Sequence, residues 1–528
     1  MDKERFRQAW ECDIFNCMNK LSRLTRISLL LAVFFAIDKV AGILRQVIIA
    51  RQFGLSAEMD AFNAAHSVPD LLFALISGGA LSLAFIPMLS ETLVQKGKPD
   101  TWHLFSQIAN LAFLITAGIS VVVMIFAKPL VQAPWGVAPG FTPAQQALVA
   151  DLMRLYLISL LIFSLSGLVM AGLQANQHFL LPAIAPVLYN VGQIFGALVL
   201  APAKGYSFGP LHLPGYGMGT YGLVYGVILG AALHLAIQIP ALIKYQFHWT
   251  ATINLRDPRV IKVLTLLGPR AITMLFIQLV AVWRNNLASG LEIGSVTALA
   301  YGWMIMQVPE TVIGTAIGTA MLPTLAEQYS RSAWLEFKQS IERALNVLIA
   351  VSIPIAVIMS LGLLPLVQVV FKFGDQGSLM VMWVTQAYLA GLLGYSLNEV
   401  ASRAFYARQD ARLPLLASFL NLVAFGILAS LLVKPFGAVG IALGNILAYT
   451  GEAIFLLFLL DRRMPEHLAF TNTLVRALLS GLVGGAVTYL VISYLPLPRL
   501  IGSIAAMGLG AVAAVPFIWK EIRLLVRL

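Results

Sequence analysis

Fourteen long apolar runs divide this chain, each about as long as a lipid bilayer is thick. They lie near residues 27–50, 68–90, 104–127, 148–173, 181–201, 220–243, 262–288, 296–325, 341–371, 379–402, 413–433, 438–460, 473–495 and 500–519. Crossing a hydrocarbon core of about 30 Å takes roughly 20 apolar residues at 1.5 Å of rise each. The runs therefore predict an all-α polytopic membrane protein of about 14 transmembrane helices, with no sizeable extramembrane domain. Of the 528 residues, 59% are hydrophobic and 11% charged, whereas a soluble domain carries roughly 25% charged residues. A water-soluble enzyme is excluded.

The bases set the orientation. With the N-terminus inside, 24 of the 35 Lys and Arg fall on the cytoplasmic side, from Lys3, Arg5 and Arg7 to Lys520, Arg523 and Arg527. Seven fall outside, one per loop: Arg51, Lys128, Lys204, Arg284, Lys372, Lys434 and Arg499. The other four, Lys39, Arg45, Arg154 and Arg270, lie within spans or at their rims. This asymmetry predicts both termini in the cytoplasm. The net charge of +11 follows the membrane and forms no single basic stripe, so nucleic acid is not an expected partner. Cys12 and Cys17, the only cysteines, read as free thiols in a reducing compartment. The first span is too long for a signal peptide and carries charges, so no cleavage is expected.

The chain echoes itself six spans apart. Phe85-Ile86-Pro87-Met88-Leu89-Ser90-Glu91 ends span two, and Met321-Leu322-Pro323-Thr324-Leu325-Ala326-Glu327 ends span eight. Ala175-Asn176-Gln177-His178 leads to Pro182 after span four, as Ala407-Arg408-Gln409-Asp410 leads to Pro414 after span ten. Gly222 and Gly226 in span six pair with Gly440 and Gly444 in span twelve, at the spacing that lets helices approach closely. An even offset gives both halves one orientation, so we expect two six-helix lobes in parallel pseudo-two-fold repeat plus two C-terminal helices. The boundaries are a tail over 1–26, an N-lobe over 27–244, a cytoplasmic linker over 245–261, a C-lobe over 262–460, and the final pair with the C-terminus over 461–528.

Ionisable groups inside spans are the candidate functional residues, because each costs roughly 2.5 to 3.5 kcal/mol unless it meets a cavity or a partner. Span one carries Asp38, Lys39 and Arg45, and the seven-residue step puts Asp38 and Arg45 on one helical face. Asp38 paired to a base, with Arg45 reaching the interface, is the bland reading of the same pattern. Arg154 lies three residues from Asp151, an interfacial ion pair, and Arg270 follows Pro269. The second half is richer in acids, with Glu310 after Pro309, Glu399 beside Asn398, and Glu452 in the span containing Asn445. Bases in one half and acids in the other fit an anion site and an ion-coupling site. Scattered compensation between packed helices fits as well. No metal-ligand spacing and no phosphate-binding Gly-Lys-Ser/Thr loop occurs, so no enzyme, metal or cofactor is expected.

Three stretches carry a family resemblance: Ala50-Arg51-Gln52-Phe53-Gly54 through Asp60-Ala61-Phe62, Pro69 and Gly79-Ala80 to Pro87; Gly318-Thr319 to Leu325; and Phe405-Tyr406-Ala407-Arg408-Gln409-Asp410 to Pro414. With these the chain resembles the MurJ (MviN) family of lipid II flippases, in the multidrug/oligosaccharidyl-lipid/polysaccharide exporter superfamily, as a divergent member. The resemblance implies two six-helix lobes around a central cavity, with a lipid groove on the last two helices. It also implies movement of an undecaprenyl-diphosphate-linked cell-wall precursor, lipid II or a related lipid-linked glycan, from the inner to the outer leaflet of the bacterial cytoplasmic (inner) membrane. Lys39 and Arg45 stand at the family's basic positions in span one, and Asp60 is kept. Typical members place two arginines and a glutamate where Phe73, Ala74 and Gly78 stand, and an Asp-Arg pair and a Glu where Trp303, Met304 and Gln307 stand.

The substrate-binding set is thus Lys39, Arg45, Asp38, Asp60, Arg154 and Arg270, and the ion-coupling candidates are Glu310, Glu399, Glu452, Asn398 and Asn445. Alternating access, with coupling to the membrane potential, H+ or Na+, is the expected mechanism. Expected partners are the lipid-linked glycan, membrane lipids and the peptidoglycan synthesis machinery, for a monomer. The alternatives are a cation-coupled antiporter of drugs or small molecules, and a transport-inactive paralogue that scaffolds envelope assembly.

Overall fold

The structure, a computed structural model, describes residues 23–76, 79–208, 211–464, 466–468, 473–495 and 497–525. Cys12, Cys17 and the tail bases through Lys20 lie outside these, as do Gly78 and the side chain of Arg270. The described chain is helical apart from one antiparallel hairpin, Tyr206–Phe208 with Leu211–Leu213, in which Tyr206 faces Leu213. Among the described residues, ten helices are long and apolar enough to cross a membrane, or eleven when the bent pair Gly374–Ala390 and Leu392–Ala407 is taken as one span. The expected number of fourteen is not confirmed. Part of the difference has a plain cause in the 51-residue helix Arg412–Arg462. At 1.5 Å per residue it would be about 75 Å long, more than two bilayer cores. Its backbone leaves the helical region at Gly437 (φ 56, ψ −134), two residues after Pro435, so two helical arms meet there. That break falls in the gap between spans eleven and twelve.

The chain divides into two compact units. The first comprises the chain through Ile48 with Ile76–Ser120 and Leu155–Thr265; the second comprises Ile49–Leu75, Val121–Arg154 and Leu266–Leu528.

In the first unit, glycine sets how closely two helices pack. Helix Leu180–Phe195 runs on through the π turn Gly196–Leu200 and lies against helix Gly219–Ala236. A methyl at Gly226 would sit 2.7 Å from the Cα of Gly196, and one at Gly230 would sit 2.5 Å from the Tyr189 carbonyl oxygen. The backbones touch only because both residues lack Cβ. The second unit repeats the device, since a methyl at Gly444 would fall 2.6 Å from the Ala429 amide nitrogen on the opposite arm of the broken helix. The glycine echo thus marks equivalent close crossings, between the fifth and sixth runs and between the eleventh and twelfth.

The last two helices, Thr473–Tyr494 and Arg499–Leu525, belong to the second unit and pack on helix Trp334–Val370. Ser503 donates a hydrogen bond to the Gly362 carbonyl, and Arg476 pairs with Glu521, which is buried. Phe337, Ile341, Phe405 and Leu456 form the core beside this pair.

Candidate functional sites in the two units

Helix Arg23–Phe53 is an apolar run interrupted by three charges, and its seven-residue step does bring two of them to one place. Asp38 and Arg45 meet at Asn190, on helix Leu180–Phe195. The Asn190 amide donates from Nδ2 to Asp38 Oδ1 at 2.8 Å, and its Oδ1 accepts from Arg45 Nη1 at 3.0 Å. A methyl at Gly42, between the two charges, would meet Asn190 Oδ1 at 3.8 Å, an ordinary contact. Asn190 is buried, and Arg45 Nε has no protein partner. Lys39 is exposed on a different face of the helix. Among the described residues, neither Lys39 nor Arg45 forms an ion pair. Asp38 is therefore held by a neutral amide and not by a base. The sequence reading missed Asn190; its signal was a lone amide between Pro186 and Gly192 in an apolar run.

Of the other members of the expected binding set, Asp60 and Arg154 belong to the second unit, where each has its own partners. Asp60, 2% exposed, accepts the Gly294 amide N–H through Oδ2 at 2.6 Å and the Thr297 N–H and hydroxyl through Oδ1 at 2.8 and 2.6 Å. Gly294 (φ 94) precedes helix Ser295–Glu310 and has no side chain to cap it, so Asp60 supplies the cap from another helix. Its role there is structural. Arg154 donates to Asp151 at 2.7 Å and to the Met124 carbonyl at 3.1 Å, the ion pair its spacing suggested.

In the second unit the acids divide. Glu399 is paired with Arg403 one turn on; that arginine, read from sequence as a loop base, lies inside helix Leu392–Ala407 and also donates to Thr319. Glu310 accepts from Thr315 at 3.0 Å across the π turn Thr311–Thr315 that follows Pro309. Glu452 differs. It is buried and accepts from Ser418 at 3.3 Å and Asn421 at 2.9 Å, with Asn398 as a third partner and no ion pair among the described residues. Asn445, two turns before Glu452, accepts from the Tyr395 hydroxyl. Glu452 and Asn398 therefore come together, with Asn445 alongside, while Glu399 is neutralised. Trp303, where typical members carry an acid, packs edge-on to Tyr388 and Tyr395 at 5.5 and 5.1 Å.

A family model described as lipid II flippase MurJ matches residues 49–507. The chain belongs to the MurJ family. A lipid II flippase MurJ of Burkholderia cenocepacia is 32% identical over 400 residues, covering 74% of this chain and 75% of that protein. A probable lipid II flippase MurJ of Buchnera aphidicola is 28% identical over 461 residues, covering 85% and 84%. Among solved structures, lipid II flippase MurJ in an inward closed conformation superposes with a TM-score of 0.76 at 21% identity, over 94% of this chain and 99% of that one. An inward-facing multidrug resistance MATE family transporter gives 0.66 at 14% identity, over 80% and 96%. At such identities the likeness is one of fold, the all-helical fold that MurJ shares with MATE transporters. The MurJ family match begins at Ile49, beyond Lys39 and Arg45, so the basic positions of the first helix lie outside it.

Proposed function

We propose that this multi-pass membrane protein is a flippase for lipid II or a related undecaprenyl-diphosphate-linked glycan, moving it from the inner to the outer leaflet by alternating access. The observation that carries the reading is the Asn190 bridge, which orients Arg45 through a neutral group and leaves its charge uncancelled. A diphosphate needs positive groups to enter a dry bilayer interior, and needs no covalent chemistry to cross it. Arg45 and Lys39 are its contacts in this reading, and the final helix pair guides the prenyl tail. With both termini cytoplasmic, outward movement of about two negative charges gains roughly 2.3 kcal/mol per charge per 100 mV of inside-negative potential. The potential alone then supplies a direction. The decisive experiment is complementation of a bacterium depleted of its own lipid II flippase. Restored growth and restored lipid II export are expected. Failure with normal membrane expression would leave the scaffolding reading in its place.

Glu452 favours one addition. A buried carboxylate solvated by Ser418, Asn421 and Asn398 has no base to balance it among the described residues, so a proton or Na+ is the fitting partner. We place ion coupling there rather than at Glu310 or Glu399. The fold likeness to MATE transporters supports cation-coupled antiport of a small molecule as the second reading. Uptake of the small molecule driven by an imposed cation gradient, in liposomes where lipid II stays put, would decide for it.

A further inference from the structure

A cavity of about 780 Å³ opens in the first unit where the start of helix Lys98–Ile125 meets the segment after Lys244. Neither proposed site uses it. Its wall is fixed by hydrogen bonds. Trp102 Nε1 donates to the Tyr245 carbonyl at 3.1 Å, Asn110 Nδ2 donates to the Thr250 and Thr252 carbonyls at 2.8 and 3.0 Å, and Trp249 Nε1 donates to Asn110 Oδ1 at 2.8 Å. The Trp102, Phe105 and Phe247 rings pack edge-on behind that wall, with centroids 5.2 to 5.6 Å apart. A segment between two spans is thereby held as a rigid lip.

The lining is largely apolar surface that carries one lysine, Lys98, one acid, Asp100, and two histidines. Lys98 is exposed at the mouth, and His248 is tied through Nδ1 to the Gln246 carbonyl at 2.7 Å, which leaves Nε2 unused by the protein among the described residues. His103 uses both ring nitrogens, on Gln107 and Thr252, and is structural. Asp100 is the one acid in the lining, and Arg259 is near enough to offset part of its charge.

The lip itself gives the depth. Ile243, Trp249, Ile253 and Leu255 are 74, 63, 42 and 57% exposed, within a stretch that also carries Lys244, Arg256 and Lys262. Exposed apolar side chains, a tryptophan and bases together mark a segment lying in the interface, its apolar side toward acyl chains and its charges toward headgroups. A cavity beside it opens at headgroup depth. We propose that this cavity holds the headgroup phosphate of an anionic phospholipid, with Lys98 as its charged contact. This site is separate from the transported lipid and does not depend on the flippase reading.

The test uses the full-length protein, delipidated and then offered phosphatidylglycerol or phosphatidylcholine in detergent, with bound lipid counted by native mass spectrometry. Wild type should retain phosphatidylglycerol preferentially. K98Q should lower that preference about fivefold, the effect of one cation near an anionic headgroup. D100N should raise it, a gain that misfolding would not produce. Equal retention of the two lipids by wild type, an unchanged preference in K98Q, or a lowered one in D100N would each overturn the proposal. Displacement of phosphatidylglycerol from wild type by millimolar inorganic phosphate would overturn the lipid assignment in favour of a free phosphate site.

Discussion

The two units handle a charge inside an apolar fold in opposite ways. In the first, an acid and a base on one helix face do not pair with each other; Asn190 donates to Asp38 and accepts from Arg45. In the second, Glu452 is surrounded by neutral donors. An amide bridge fixes the direction of a guanidinium without cancelling it, whereas hydroxyl and amide donors stabilise a carboxylate without supplying a counter-charge. The first arrangement leaves a cation able to meet an anion from outside the protein. The second leaves an acid able to meet a proton or a metal cation. Two units that both use glycine to bring helices close thus differ in the sign they offer.

The strongest way to break this contrast is to remove the cations. Lys39→Ala combined with Arg45→Ala should reduce lipid II flipping in proteoliposomes by about 100-fold or more, since a hydrogen bond to a charged group contributes roughly 1.5 to 3 kcal/mol. Undiminished flipping by a folded double variant would end the assignment of the first unit to the diphosphate.

Asn190 sharpens the same point. Asn190→Asp places a carboxylate against Arg45 and beside Asp38, and should lower flipping about tenfold by neutralising the guanidinium. Asn190→Leu leaves both charges without their bridge, and should cost about 1 to 3 kcal/mol of stability, read as a lower unfolding midpoint in detergent. Wild-type behaviour in both would show that the bridge is incidental.

On the opposite side of the comparison, Glu452→Gln keeps the shape and removes the charge, though its amide has one acceptor oxygen where the carboxylate has two. Flipping under an inside-negative potential should fall by less than about tenfold, because the potential acts on the substrate's own charge. Any stimulation by an imposed pH or Na+ gradient should vanish. Gradient stimulation that survives in Glu452→Gln would move the coupling site elsewhere.

The sequence made the periodic and the short-range features legible. Apolar runs, the face shared by Asp38 and Arg45, and the glycine steps all depend on residues a few positions apart. The break at Gly437 was also readable, because Pro435 and Lys434 already interrupt the run. Partners far along the chain were not. Asn190 lies 152 residues from Asp38, and nothing local shows that its amide will serve two charges at once. Asp60 was named a substrate contact because the family resemblance keeps it; only the fold shows that it caps the helix after Gly294, 234 residues later. Arg403 was assigned to a loop because the tenth run was ended at residue 402, one position short of it, so its pairing with Glu399 was hidden.

The smallest effect is expected outside both clusters, in the segment before helix Pro258–Ala288. Arg259 donates through Nε and Nη2 to the two oxygens of Asp257 at 3.1 and 2.7 Å. That hydrogen bond holds the Asp257 carboxyl below its ordinary range, outweighing the upward push of burial, with the neighbouring Arg259 and Lys96 charges adding to the effect. A carboxyl depressed in the folded state contributes stability that is complete above its unfolded value, near about 3.9, and is lost as pH falls through the folded value. Asp257→Asn should therefore lower the unfolding midpoint by a degree or two at neutral pH, as fits an ion pair worth about 1 kcal/mol or less. The gap from wild type should stay constant between about pH 5 and 8 and close as pH falls through the depressed folded value. A gap that persists in acid would mean that the side chain stabilises the segment by packing rather than by charge. The contrast between the units would then rest on Arg45 and Glu452 alone, whose charges no partner cancels.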